Sequence, residues 1–362
     1  MWTGYVVWLT AALAALVLAS GVAAADELCD LSRVYLLDDD HRGPGFAQNF
    51  VWETFNDPTH GRVNYVDQDQ AFAKNLSYFT PHKFIMRVDD ENVVSDDARG
   101  RDSVRITSRK SYNDSLFILD IVHMPTGCGT WPAWWTVSKK GPWPAGGEVD
   151  IIEGVNNGVD NLSSLHTSSG CTMNATRPMT GGATSTNCDA HVNGNQGCGV
   201  SYTEPASFGA PFNAAGGGWY AIERNGVCGI SVWFWSRDSD DVPIDVQFPS
   251  PAVRPDVRWG TPSAVFLPDQ CDIDTYFDAH HIVFDDTLCG DWAGEVYNSM
   301  GCPGSCVDFV NNNPSSFKEA YWEINSLRTY TPFLFSEPPS PIPAPIPHHQ
   351  HIMDDVSLMV PV

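Results

Sequence analysis

The chain is expected to fold as an all-β domain of the sandwich or jelly-roll kind, and three observations carry that expectation. Short runs rich in β-branched and aromatic residues recur between Gly, Pro, Asn or Asp: Ser103–Ser108 (SVRITS), Leu116–His123 (LFILDIVH), Gly229–Trp235 (GISVWFW) and His281–Phe284 (HIVF). No long stretch within the domain has helical periodicity, and Glu319–Leu327 (EAYWEINSL) reads either as a helix or as a late strand. No repeat of a few tens of residues is present. With 362 residues, 43% of them hydrophobic, the chain can bury one large core.

Taken from the N-terminus, Tyr5 to Ala25 is apolar and uncharged and ends in Ala23-Ala24-Ala25 ahead of Asp26. Residues 1–25 read as a secretory signal peptide. No Lys or Arg precedes Arg33, so the usual basic start is missing, and the stretch is long enough to span a bilayer as an uncleaved anchor. The polar chain from Asp26 favours cleavage. Residues 26–336 then form the domain. Its ten cysteines are even in number and suggest up to five disulfides in an oxidising compartment. Zinc is the alternative, but neither Cys188 with Cys198 nor Cys302 with Cys306 has a nearby His at finger-like spacing. Four sequons begin at Asn75, Asn113, Asn161 and Asn174 and would become glycan sites on a eukaryotic secretory route. From Glu337 the sequence EPPSPIPAPIP cannot build a sheet ladder, so 337–362 is expected to be a disordered Pro-rich tail; His348, His349 and His351 in it have no defined metal partner.

The formal net charge of −24 repels phosphate backbones and anionic lipid, which disfavours nucleic acid and membrane surfaces as partners. Thirteen tryptophans exceed what a core of this size needs, and some are expected on a surface that binds flat apolar faces such as sugar rings.

The segment that carries chemistry is Gly146–Gly154, GGEVDIIEG. Side chains alternate along a strand, so Glu148 and Asp150 share a face, whereas Glu153 would point away. A β-bulge at Ile151-Ile152 restores the parity and turns all three acids into one cleft. Crowded carboxylates raise one another's pKa and bring no packing gain, but glycosidic cleavage needs them: one ionised nucleophile and one protonated acid. A bare Glu-x-Asp-x-x-Glu pattern would be read as a solvent-facing acidic strand or a calcium site; the flanking blocks change that reading.

Those blocks are THGRVNYVD (59–67), SVRI (103–106), HMPTGCGTWPAWW (123–135), WPAGGEVDIIEGVN (143–156), LHTSSGC (165–171) and CGDWAG (289–294). With them the chain, from about residue 46 to about residue 333, resembles glycoside hydrolase family 16, in particular the fungal endo-1,3(4)-β-glucanase or laminarinase branch. The resemblance implies a concanavalin A-like jelly roll of two curved antiparallel sheets with a substrate cleft. It makes Glu148 the nucleophile, Glu153 the general acid/base and Asp150 the carboxylate that tunes them. It implies a hydrogen bond from His166 to Asp150 and sugar-stacking roles for Trp135, Trp143 and Trp292. Trp131 and Trp134 are expected in the core, as are Trp233 and Trp235, which share a strand face. The implied partner is β-1,3- or mixed β-1,3/1,4-glucan, cut by a secreted, extracellular or wall-located monomer without cofactor or metal. Two rivals share the fold: a transglycosylase, which uses the same acids, and a non-catalytic glucan-binding protein, which the intact catalytic strand disfavours. A structural wall protein explains neither the acids nor the Trp blocks.

Overall fold

Alternating apolar residues close two antiparallel sheets on each other in the computed structural model, which describes Cys29 and residues 33–333. The segments 1–25 and 337–362 lie outside the described residues. One sheet has eight strands, in spatial order Gly182–Ala183, Cys198–Ser201, Leu162–His166, Glu148–Glu153, Thr130–Ser138, His280–Leu288, Arg105–Tyr112 and Phe50–Trp52. The other has nine, with Tyr321–Pro332, Ser115–His123, Gly218–Asn225 and Gly229–Ser236 side by side at its centre.

The core lies between them. Trp134, Val149, Ile151, Ile152, Ile282 and Phe284 of the eight-stranded sheet meet Phe117, Leu119, Ile121, Tyr220, Ile222 and Phe234 of the nine-stranded one. Burial of these apolar surfaces is the main stabilising term, at roughly 25 cal/mol per Å² removed from water. The outer face of the nine-stranded sheet is also apolar, with Trp219, Trp233 and Trp235 buried under Val242, Val246 and Trp259. Core positions for Trp134, Trp233 and Trp235 follow the sequence expectation.

Most strands fall where the sequence puts them. Glu319–Leu327 resolves as strand, inside Tyr321–Pro332, and SVRITS divides at Val104 between Arg101–Ser103 and Arg105–Tyr112. Helices are short; Cys306–Asn312, with the Ser305 hydroxyl accepting from the Asp308 amide, has seven residues.

All ten cysteines pair: Cys29–Cys228, Cys128–Cys302, Cys171–Cys271, Cys188–Cys198 and Cys289–Cys306. Such a set suits an oxidising compartment, and it leaves no thiolate for zinc. No described helix is long and apolar enough to cross a membrane. The sequons separate into two kinds. Asn75, Asn113 and Asn174 are exposed, whereas Asn161 is fully buried and hydrogen-bonded, so its expected glycan has no room.

Candidate active site

The strand Glu148–Glu153 lies in the middle of the eight-stranded sheet, flanked by Thr130–Ser138 and Leu162–His166. Glycines frame it where side chains do not fit. Gly147 has φ +81° and a Cβ there would sit 2.3 Å from the Phe277 ring; a Cβ on Gly154 would sit 2.5 Å from Phe208.

Pairing is regular from Glu148 opposite His166 to Asp150 opposite Ser164, then slips, and Glu153 faces Leu162. On the other side Asp150 faces Trp135, Ile152 faces Trp134 and Glu153 faces Ala133. This is the bulge at Ile151-Ile152. Both isoleucines enter the core, so the next residue, Glu153, returns to the face of Glu148 and Asp150.

Each outer glutamate receives an indole N–H. Trp143 donates to Glu148 Oε2 at 3.1 Å and Trp131 donates to Glu153 Oε1 at 2.8 Å. The expectation that Trp131 is core is therefore corrected: it is half-buried, points out of the sandwich and stands edge-on to Trp292, ring centroids 5.7 Å apart. Trp131 lies two positions from Ala133, which faces Glu153, so strand parity was the available signal. Trp143 is 46% exposed in the turn before the catalytic strand, and Trp135 and Trp292 are half-buried.

His166 Nε2 lies 3.3 Å from Asp150 Oδ2, and His166 Nδ1 lies 2.9 Å from Asn195 Oδ1. Both ring nitrogens face acceptors, which suits an imidazolium. Burial opposes that charge, but the close contact with Asp150 and the charges of Asp150, Glu148 and Glu153 outweigh it and push His166 up to about 10. Burial and the Asp150 charge push both Glu148 and Glu153 up to about 8. Ligand atoms of Glu148, Asp150 and His166 lie within 4.8 Å of one another, the one such grouping among the described residues. A protonated His166 supplies positive charge there and offers no lone pair to a metal.

Three further residues on this face escaped the sequence reading. Arg105 lies between Phe55 and Trp135, its guanidinium carbon 4.9 Å from each ring, and pairs with Asp285 at 3.2 Å. Burial raises Asp285 to about 7 against the opposing pull of Arg105. Asp285 was readable by parity, because it extends the strand-like HIVF run and faces Ala133. Phe55 carries no comparable signal.

A two-sheet antiparallel sandwich bearing three carboxyls and an aromatic-lined face on one sheet has the kind of acid set that glycoside hydrolysis uses. The family model described as "XgeA-like, catalytic GH16 domain" matches residues 50–330, and the chain belongs to glycoside hydrolase family 16. A probable endo-1,3(4)-β-glucanase of Aspergillus clavatus is 42% identical over 326 residues, which is 86% of this chain; the chain spans 49% of that relative's length. The structure of laminarinase 16A from Phanerochaete chrysosporium, with 6-O-glucosyl-laminaritriose in donor and acceptor sites, is 50% identical with TM-score 0.80, covering 82% of this chain and 100% of that one. An elongating family 16 β-1,3-glucosyltransferase is 41% identical with TM-score 0.75 over the same shares.

Proposed function

We propose that this domain is a secreted, retaining endo-β-glucanase that cleaves β-1,3- or mixed β-1,3/1,4-glucan, with Glu148 as nucleophile and Glu153 as general acid/base. The observation that carries it is the bulge that brings Glu148, Asp150 and Glu153 to one face, with an indole donor on each outer glutamate. Burial and the Asp150 charge raise both carboxyls, which lets one of them hold a proton near neutrality as an acid must, while an indole N–H on each and the nearby His166 cation favour ionisation.

In the first step Glu148 attacks the anomeric carbon as Glu153 protonates the departing glycosidic oxygen. In the second, Glu153 takes a proton from water, and that water displaces Glu148 with net retention. Asp150, with His166, holds the charge balance between the two. Trp135, Trp143 and Trp292 supply flat faces for the apolar C–H sides of glucose, and no cofactor or metal enters the chemistry. The five disulfides support an oxidising, extracellular setting.

Transglycosylation is the second reading, favoured by the similarity to an elongating glucosyltransferase. It shares the first step and differs only in the acceptor. Reducing-sugar release from laminarin, lichenan, xyloglucan and agarose tests both. Hydrolysis of laminarin or lichenan that Glu148→Gln and Glu153→Gln each lower by at least about 10³-fold is expected. Lengthened oligosaccharides without net hydrolysis would move the assignment to transfer, and glucan binding without either reaction would end the enzyme reading.

A further inference from the structure

A bulge leaves backbone groups that the ladder cannot pair, and here they flank the acid/base residue. The catalytic strand's Ile151 carbonyl is buried and the Glu153 amide partly so, and an unmet polar group there is costly. One side chain answers both. Asn161 Nδ2 donates to the Ile151 carbonyl at 2.9 Å, and the Glu153 amide donates to Asn161 Oδ1 at 3.1 Å. A carboxamide is suited to this because it carries a donor and an acceptor in one rigid plane. Asn161 is itself fixed: it is fully buried, and its own amide donates to the Ser207 hydroxyl at 3.1 Å. The Ser163 hydroxyl makes a second bond to the Ile151 carbonyl at 2.8 Å and lies 2.9 Å from the Tyr202 hydroxyl.

We propose that Asn161 is a positioning residue, a carboxamide clasp that holds the bulge in the shape that presents Glu153 to the glycosidic oxygen. The clasp replaces the missing rung of the ladder and acts on the backbone of Glu153 itself. Its sequon, Asn161-Leu162-Ser163, is therefore excluded from glycosylation in the active fold. Both the Asn161 amide and the Ser163 hydroxyl are engaged, and a glycan on Nδ2 would need space that a fully buried side chain lacks.

The inference rests on the acid/base role proposed for Glu153, and leaving-group dependence separates the two. A dinitrophenolate departs without a proton, so a 2,4-dinitrophenyl β-laminaribioside bypasses the acid in the first step. Azide bypasses the base in the second: it attacks the anomeric carbon of the glycosyl-enzyme, the bond to Glu148 breaks, and a β-glycosyl azide leaves. Asn161→Ala is expected to lower turnover of laminarin about 10- to 100-fold while the dinitrophenolate burst rate stays within about threefold of wild type. Azide should then raise steady-state turnover of the aryl glycoside and yield the β-azide. Ser163→Ala removes the sequon and leaves the Glu153 contact, so its turnover of laminarin should stay within about threefold of wild type.

Equal loss on both substrates without azide rescue would overturn the clasp in favour of general destabilisation, and no loss on either would overturn it outright. Should Asn161→Ala fail to accumulate, Asn161→Asp keeps the acceptor for the Glu153 amide, loses the donor and is read by the same criteria. A glycan found on Asn161 by peptide mapping of active enzyme from a eukaryotic host would also overturn it. Glu153→Ala is the control. If it shows neither leaving-group dependence nor azide rescue, the role of Glu153 falls and the clasp with it. If it shows both and Asn161→Ala shows neither, the clasp alone falls.

Discussion

The two sheets carry tryptophan in the same way but cover it differently. On the nine-stranded sheet Trp219 pairs across strands with Trp235, and Trp233 lies two positions before Trp235 on the same face. On the eight-stranded sheet Trp131 and Trp135 are related by the same period of two, beside the acids. The difference is the roof. Trp259 stands edge-on to Trp233 and Trp235, with centroids 5.3 and 5.6 Å apart, and Val242 and Val246 join it. Arg328 pins that cover by donating to the carbonyls of Asp245, Val246 and Phe248. Trp131 and Trp135 instead remain half-buried, with their indoles among carboxyls and a guanidinium. An aromatic face under a roof stabilises the fold; the same face without a roof would, on the proposed function, stack a sugar.

Exchanging the losses gives the largest contrast. Trp259→Ala opens a cavity under the roof and should cost about 3–5 kcal/mol of stability, with kcat unchanged at a permissive temperature. Trp292→Ala should leave the melting temperature nearly unchanged and raise KM for laminarin about 3- to 10-fold. Denaturant titration and steady-state kinetics on both variants check this, and similar behaviour in the two would erase the distinction between the faces.

Trp131→Phe sharpens the contrast within the open face, because it keeps an aromatic ring, though a smaller one, and deletes the N–H donated to Glu153. Turnover should fall about tenfold, the worth of a hydrogen bond to a charged group. The sign of the pH effect follows from the bond. The indole favours the ionised carboxylate, so its loss raises the Glu153 pKa and moves the alkaline limb of the activity profile to higher pH. A limb that stays in place or moves to lower pH would refute that role.

The smallest effect is a gain. Glu148 binds its proton more tightly in the fold than in the unfolded chain, about 8 against 4.5, so it costs stability as pH rises through that window. Below about pH 4.5 both states are protonated and the cost vanishes. Glu148→Gln should raise the melting temperature near neutral pH and leave it unchanged in acid. A scan of melting temperature against pH reads this directly, and no gain near neutrality would mean that Glu148 is not strained by its surroundings.

Much of this was legible in the sequence for physical reasons. The spacing of Glu148, Asp150 and Glu153 breaks strand parity, and restoring it requires the bulge that the strand pairing contains. His166 was placed beside Asp150 and lies there. What was not legible depends on partners far away in the chain. Trp131 and Trp134 have the same composition around them, and only the direction of the strand face separates them. Arg105 meets Asp285 across 180 positions of sequence. The sequon at Asn161 reads as a surface signal until the core closes over it.

The most direct test of the double displacement is the anomeric configuration of the first product from laminarin, followed by proton NMR before mutarotation. A β-anomeric reducing end appearing first, with α following by mutarotation, is the expected result. An α-anomer appearing first would contradict a glycosyl-enzyme on Glu148, and with it the division of roles between the two glutamates.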